Sequence, residues 1–185
     1  MKKLFLALGS CLAFAALSAF AESGDFRVTS AAWHEGGSVP QENLFNGSGC
    51  GGANVSPEFH WSGPPSGTRS FAITIFDPDA PSGAGWWHWV IFNIPRTVFE
   101  LPAGAGSKGS RGLPPASVQC QNDYGESGYG GPCPPPGSTH RYFVRVYALN
   151  VEKLPFGVEA SPAKMAKQIE AHSIGVAKLT VKFGR

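Results

Sequence analysis

Residues 71–95 read F-A-I-T-I-F-D-P-D-A-P-S-G-A-G-W-W-H-W-V-I-F-N-I-P. Phe71 to Phe76 is an almost unbroken apolar, β-prone run that predicts a central strand, and Trp87 to Ile94 predicts a second. Between them Pro78 and Pro81 fix φ and withhold ladder donors, which places Asp77 and Asp79 on a stiffened loop leaving the first strand. Trp86, Trp87 and Trp89 bracket His88 and supply a broad apolar wall with polar N–H edges. Acid, imidazole and indole gathered this closely predict a small polar pocket in an apolar frame, the usual construction of a ligand site.

Upstream, Phe26 to Ala32 alternates as a first strand, His34 to Gly52 is mostly loop, and Glu58 to Trp61 is a short strand followed by the turn Gly63–Gly67. Downstream, Leu101 to His140 holds nine Gly and seven Pro, too long a stretch for an ordinary connection and therefore expected to be functional or flexible. Within it, Ser117 to Gln121 could form a short strand. Arg141 to Leu149 is a clear strand. Ser161-Pro162 caps and starts a helix with Met165, Ile169 and His172 along one face and Gly175 as its stop. Leu179, Val181 and Phe183 then alternate with Lys178, Thr180 and Lys182 in a last strand with one wet face. Six or so strands, one helix and many turns make a mainly β protein, an antiparallel β-sandwich with a short C-terminal helical element.

The N-terminus has a different character. Lys2 and Lys3 precede an apolar run from Leu4 to Phe20, and Ala19-Phe20-Ala21 stands just before Glu22. This is a secretory signal peptide over residues 1–21, with cleavage expected after Ala21 and export to the periplasm or the medium. Its apolar run, ending in small residues, is a poor stop-transfer segment, and no second long apolar stretch follows, so the mature chain is expected to have no transmembrane segment. Residues 22–185 then form a single domain large enough for a real core. Without Lys2 and Lys3 the 15 basic residues fall to 13, against 13 acidic ones. A near-neutral chain with no basic run gives no support for nucleic-acid binding.

Three cysteines remain after cleavage: Cys50, Cys120 and Cys133. Export makes a disulfide plausible and the odd number leaves one thiol over. Cys50 and Cys133 both lie in Gly-rich loops and are the favoured pair, with Cys120 free, although a bridge from Cys120 to either partner stays open. The absence of C-x-x-C argues against a thioredoxin-type site or a zinc knuckle. Gly47–Gly52 and Gly104–Gly109 both match G-x-G-x-x-G formally, yet neither leads into a helix, so no dinucleotide cofactor is expected.

The chain resembles the phosphatidylethanolamine-binding protein (PEBP) family, in particular its bacterial Raf-kinase-inhibitor-like branch. The resemblance is carried by D-P-D-A-P at 77–81, W-W-H-W-V-I-F-N-I-P at 86–95, G-G-P-C-P-P-P-G at 130–137 and H-R-Y at 140–142, with N-V-S-P at 54–57 and D-Y-G at 123–125 in agreement. It covers nearly all of the chain after residue 21. The family fold is an antiparallel β-sandwich with helices near the C-terminus, as the strand pattern predicts independently. The resemblance implies a preformed pocket for phosphate-like anions or phospholipid head groups, walled by Asp77, Asp79, Pro81, Trp86, His88, Gly131, Pro132, His140 and Tyr142. It implies a binding or regulatory module, such as a kinase- or protease-inhibitor-like protein, acting on an unknown protein target. It also implies a homodimer, and neither a catalytic reaction nor a cofactor.

Strand alternation puts His88 on a face with Trp86 and Val90, and His140 on a face with Tyr142 and Val144. An imidazole bonded to a carboxylate keeps a fixed tautomer and favours protonation, making it a donor toward an anion. The Gly130 and Gly131 N–H groups can approach a ligand closely, so donors are expected to outnumber acceptors. Blander roles stand beside these: Asp77 as a turn-forming acid, His88, His140 and Tyr142 as packed rings, the tryptophans as core. His34, His60 and His172 match no site motif. Two other functions compete with binding. A metal site from Asp77, Asp79, His88 and His140 lacks any fixing helical spacing. A hydrolase using the Asp/His pocket is the principal alternative, but G-x-S-x-G does not occur and Cys120 has no assigned histidine partner.

Overall fold

The structure, a computed structural model, describes residues 25–185; the signal-peptide assignment over 1–21 lies outside the described residues. Two antiparallel sheets face each other. The smaller takes β1 (Arg27–Thr29), β2 (Phe59–Ser62) and β5 (Glu100–Leu101) in the order β1-β2-β5. The larger takes β3 (Ser70–Asp77), β4 (Trp86–Pro95), β6 (Val118–Gln119), β7 (Thr139–Leu149) and β8 (Ser173–Gly184) in the order β6-β4-β3-β7-β8.

Two cores explain the hydrophobic patterns. Between the sheets, Val28, Phe59, Trp61 and Leu101 meet Phe71, Ile73, Ile75, Trp89, Ile91, Tyr142, Val144 and Val181. On the outer face of the large sheet, Ala72, Val90, Phe92, Tyr147 and Leu149 lie under Met165 and Ile169 of the helix α1 (Pro162–Ala171). Strand β3 is covered on both faces, which is why it reads as a continuous apolar run and not as an alternation. The Cys50–Cys133 disulfide is present, with Cα atoms 5.7 Å apart and a sequence separation of 83. Cys120 is a free thiol in the outer core, and burial pushes its pKa up to about 12.

Several boundaries differ from the expected ones, each for a tertiary reason. β1 ends at Thr29 because the Glu58 carboxylate takes the amides of Ala31 and Ala32 and the Ser30 hydroxyl, leading the chain off the sheet. Helix α1 begins as expected, with the Ser161 hydroxyl accepting from Lys164 N at 3.4 Å. It stops at Ala171 and not at Gly175, with His172 as its partly exposed C-cap. Gly175 already pairs with Ala148 inside β8, where a Cβ would press on the ring of Pro65. β8 consequently runs far longer than the expected segment around Leu179–Phe183 and pairs along the whole of β7. Its free edge is partly covered by residues 36–39, through Gly36 N to Thr180 O and Val39 N to Lys182 O at 2.7 and 3.1 Å. The 101–140 stretch, loop-like in composition, is laid over β4: β6 pairs with Ile91 and Phe92, and Asp123 Oδ2 accepts from Trp87 N at 2.7 Å.

One irregularity positions the site. Ile75 pairs with Trp89 and Phe76 with Trp87, so His88 is an extra residue on β4, a β-bulge. Beyond it the alternation resumes one residue out of phase. Trp89 enters the inter-sheet core and Val90 the outer one.

Candidate functional site

At the end of the large sheet, where β3 stops, β4 begins and β7 begins, lies a cavity of about 220 Å³. Its sides are largely apolar, from Ala80, Pro81, Trp86, Tyr124, Pro134 and Pro135, and its polar groups come from Asp77, His88 and His140. No Lys or Arg lines it among the described residues.

Asp77 closes β3 and accepts two hydrogen bonds: Oδ1 from Asp79 N at 2.8 Å, and Oδ2 from His140 Nδ1 at 2.7 Å. The turn-forming and site-forming roles of this acid are thus both present. Both side chains are almost wholly buried, at 5% and 7% exposure. The bond commits Nδ1 of His140 and leaves Nε2 as its remaining polar atom.

The bulge turns His88 toward the same cavity, with a different partner. Nδ1 donates to the Gly130 carbonyl at 2.7 Å, and the His88 carbonyl accepts from Gly130 N at 2.8 Å. Because a carbonyl can only accept, Nδ1 carries the proton in every charge state and the lone pair of the neutral ring is on Nε2. That nitrogen is buried and has no hydrogen-bond partner among the described residues. Burial, only partly offset by the Gly130 carbonyl and the Asp77 charge, lowers the His88 pKa to about 4. The ring is therefore a neutral acceptor at neutral pH.

The other expected wall residues divide. Asp77, Pro81, Trp86, His88 and His140 line the cavity together. Asp79 does not: Oδ2 accepts Arg141 N and Nε, both at 2.9 Å, and Oδ1 accepts Nη2 at 2.7 Å. Those bonds hold the Asp79 carboxyl at about 2 and fasten the 77–85 loop to β7. Tyr142 sits behind the wall, fully buried, its ring edge-to-face with His88 at 5.2 Å and its hydroxyl without a partner among the described residues. Gly131 and Pro132 lie one layer back, and Cys133, Pro134 and Pro135 take their place on the surface of the cavity. Gly131 is glycine because a Cβ would overlap the backbone of Asn43–Phe45. Neither loop amide is offered to a ligand, since Gly130 N bonds His88 and Gly131 N bonds Asn54 Oδ1 at 2.6 Å. The expected excess of donors is therefore absent. Of the buried polar atoms without a partner here, Trp86 Nε1 is a pure donor and His88 Nε2 an acceptor.

Tyr124, in D-Y-G, is a wall residue beyond those that the resemblance implies. Asn122 Oδ1 bonds Tyr124 N and Glu126 N at 2.9 and 3.2 Å, bending the turn that delivers its ring. The ring stacks on Phe45 with centroids 4.0 Å apart, and its hydroxyl donates to Gly131 O at 3.0 Å. Asn54, in N-V-S-P, acts from behind. In left-handed conformation (φ 54°) it holds both Gly131 N and, through Nδ2, Tyr129 O.

Known proteins place this arrangement in context. The profile of the family described as phosphatidylethanolamine-binding protein matches residues 29–184. The chain is 44% identical over 176 residues to the UPF0098 protein YbcL of Escherichia coli, covering 95% of each. It is 42% identical over 149 residues to the UPF0098 protein YbhB of the same bacterium, covering 80% of this chain and 94% of YbhB. The crystal structure of E. coli YbcL, described as a new member of the mammalian PEBP family, matches with a TM-score of 0.85 over 86% of this chain and 98% of that one. A phosphatidylethanolamine-binding protein from Plasmodium vivax matches with a TM-score of 0.54 at 14% identity, over 87% of this chain and 85% of that one, a likeness of fold alone.

Proposed function

Since the chain belongs to the phosphatidylethanolamine-binding protein family, we propose that the cavity between Asp77, His88 and His140 binds a small oxyanion, such as phosphate or a phosphorylated head group. The protein then acts as a binding or regulatory module of the bacterial Raf-kinase-inhibitor-like branch. The observation that carries this reading is the set of polar atoms at one cavity held ready but unpaired. Trp86 Nε1 and His88 Nε2 are buried without partners among the described residues, and both rings line the cavity. Such groups are costly to bury, and a ligand that pairs them recovers that cost. Titration with inorganic phosphate and phosphorylethanolamine, followed by ring resonances of His88 and His140, is expected to shift both; silence at both refutes the reading.

The Asp77–His140 pair also has the geometry of a base and its orienting acid, which supports the hydrolase alternative. The nucleophile is the weak point. The Ser82 hydroxyl donates to Gly85 O at 2.8 Å, Cys133 is in the disulfide, and Cys120 lies in the outer core. We expect no turnover of phosphomonoesters or carboxyl esters; turnover abolished by His140→Ala would establish the enzyme instead.

Export and dimerisation belong to the same proposal. The basic start, apolar run and Ala19-Phe20-Ala21 support cleavage, and the disulfide supports an oxidising compartment. Purified secreted protein is expected to begin at Glu22 on N-terminal sequencing and to scatter light as a homodimer.

A further inference from the structure

The His88 ring, which meets the cavity, has a fixed hydrogen-bonding sense when neutral, and that sense restricts which oxyanion fits. His88 is held by Gly130 so that its cavity-side nitrogen offers a lone pair. The charged and titratable groups around that ring come from three elements. β3 supplies Asp77, β7 supplies His140 and Tyr142, and the 122–135 loop supplies Tyr124 with the Gly130 and Gly131 carbonyls. Tyr124 has spent its O–H on Gly131 O, and His140 bonds the Asp77 carboxylate through Nδ1, which leaves its Nε2 as a further polar atom. No arginine or lysine on the wall supplies a fixed positive charge among the described residues. Trp86 lines the cavity, and its Nε1–H is a buried donor without a partner among the described residues.

An oxyanion entering this site meets, besides what Trp86 and the Nε2 of His140 offer it, a buried acceptor at His88. An oxygen without a proton would set two lone pairs against each other away from water, which is unfavourable for both. An oxygen that carries a proton donates to Nε2 and pairs it. We infer that the cavity selects oxyanions that bring their own acidic proton, namely hydrogen phosphate and phosphomonoester monoanions, over sulfate and phosphodiesters, which have none at neutral pH. The inference rests on the oxyanion reading above and narrows it to a chemical class. Protonating His88 from solvent would let sulfate in, but with burial holding its pKa near 4 this is costly at neutral pH.

The test needs only the wild-type protein. Dissociation constants for sodium phosphate, sodium sulfate, methyl phosphate and dimethyl phosphate are measured by calorimetry at pH 7 and constant ionic strength. Phosphate is expected to bind at least about tenfold more tightly than sulfate, the scale of one buried hydrogen bond made or missed. Dimethyl phosphate should fall with sulfate. Methyl phosphate should weaken as pH rises through its second ionisation, near about 6, whereas inorganic phosphate, which keeps a proton on its dianion, should not weaken there. Sulfate binding within tenfold of phosphate, or more tightly, overturns the selection and leaves the oxyanion reading standing. Binding of none of the four overturns both. As a second measurement, His88→Gln can turn an amide N–H toward the ligand and should bring the phosphate-to-sulfate ratio toward one; an unchanged ratio in a folded variant removes His88 as the selecting group.

Discussion

Burial of a neutral histidine at the centre of the site ties stability to pH. In the unfolded chain His88 titrates near about 6.5, whereas in the folded chain burial lowers its pKa to about 4 against the opposing pull of the Gly130 carbonyl and Asp77. Between those two values the unfolded state binds a proton that the folded state does not, so stability rises with pH across that window. The contribution is fully present above about pH 6.5 and is lost as pH falls toward 4. Two and a half units correspond to about 3 kcal/mol, a large share of a domain's net stability. Asp79 titrates lower, at about 2, because Arg141 holds it ionised, so the loss of that pair falls below the window.

The assay is urea denaturation from pH 7.5 to 4.5, read by tryptophan fluorescence, on wild type and His88→Gln. The variant loses packing and the Gly130 bond at every pH, but it has no group titrating at that position. The wild-type advantage should therefore shrink by about 2–3 kcal/mol on going from pH 7 to 4.5. A difference between the two proteins that stayed flat with pH would refute the reasoning, as would a folded-state titration of the His88 ring near its ordinary value.

Other expectations are local. Asn93, buried and left-handed (φ 59°), holds Leu154 through Nδ2 to O at 3.2 Å and Oδ1 from N at 2.8 Å. Asn93→Gly should cost about 2–3 kcal/mol for the two bonds, and Asn93→Ala about 1 kcal/mol more for the backbone, by urea denaturation. The double variant Cys50→Ser/Cys133→Ser should lose about 4–5 kcal/mol by the chain-entropy model, while Cys120 in the wild type should resist alkylation until the protein unfolds. Gly131→Ala should lower the melting temperature by ten degrees or more (~10 °C), or prevent folding, because its Cβ meets the Asn43–Phe45 backbone and no flexible side chain. Tyr142→Phe removes a hydroxyl that has no partner among the described residues. It should therefore leave stability unchanged or raise it by about 1 kcal/mol, with phosphate affinity unaffected; a loss above about 1 kcal/mol would mean that the hydroxyl is paired.

How far the sequence could be read depended on whether the deciding contact was local. The doubly buried β3, the Ser161-Pro162 helix start and the pairing of two loop cysteines were legible, because composition and spacing record them directly. The bulge at His88 was not. Nothing in W-W-H-W-V marks which residue is extra, so strict alternation put Val90 on the His88 face, whereas Val90 packs under α1 in the outer core. Asp77 and Asp79 look equivalent in D-P-D, yet one turns to His140 and the other to Arg141, adjacent residues on β7 with opposite sides. Alternation along β7 could have separated them. Gly131 looks in sequence like a glycine freed for a ligand, but what fills the space of its missing side chain is backbone from residues 43–45, which no local pattern reveals.

The bonds that place the polar wall are nearly all long in sequence. Gly130 holds His88 across 42 residues, Asp77 holds His140 across 63, Asp79 holds Arg141 across 62 and Asn54 holds Gly131 across 77. Each loop so closed carries an entropic cost that is met when the two sheets assemble, before any ligand arrives. A site built in this way has little left to order on binding, which favours affinity for even a small ion. The same construction fixes the hydrogen-bonding sense of His88 on its wall. If Gly130 were held by a flexible loop, His88 could reorient and present either nitrogen, and an oxyanion with or without a proton could be accommodated. Held from both sides by the reciprocal bonds with Gly130, His88 cannot do so without breaking the β4 bulge, so the selectivity of the cavity and the stability of the fold depend on the same contacts.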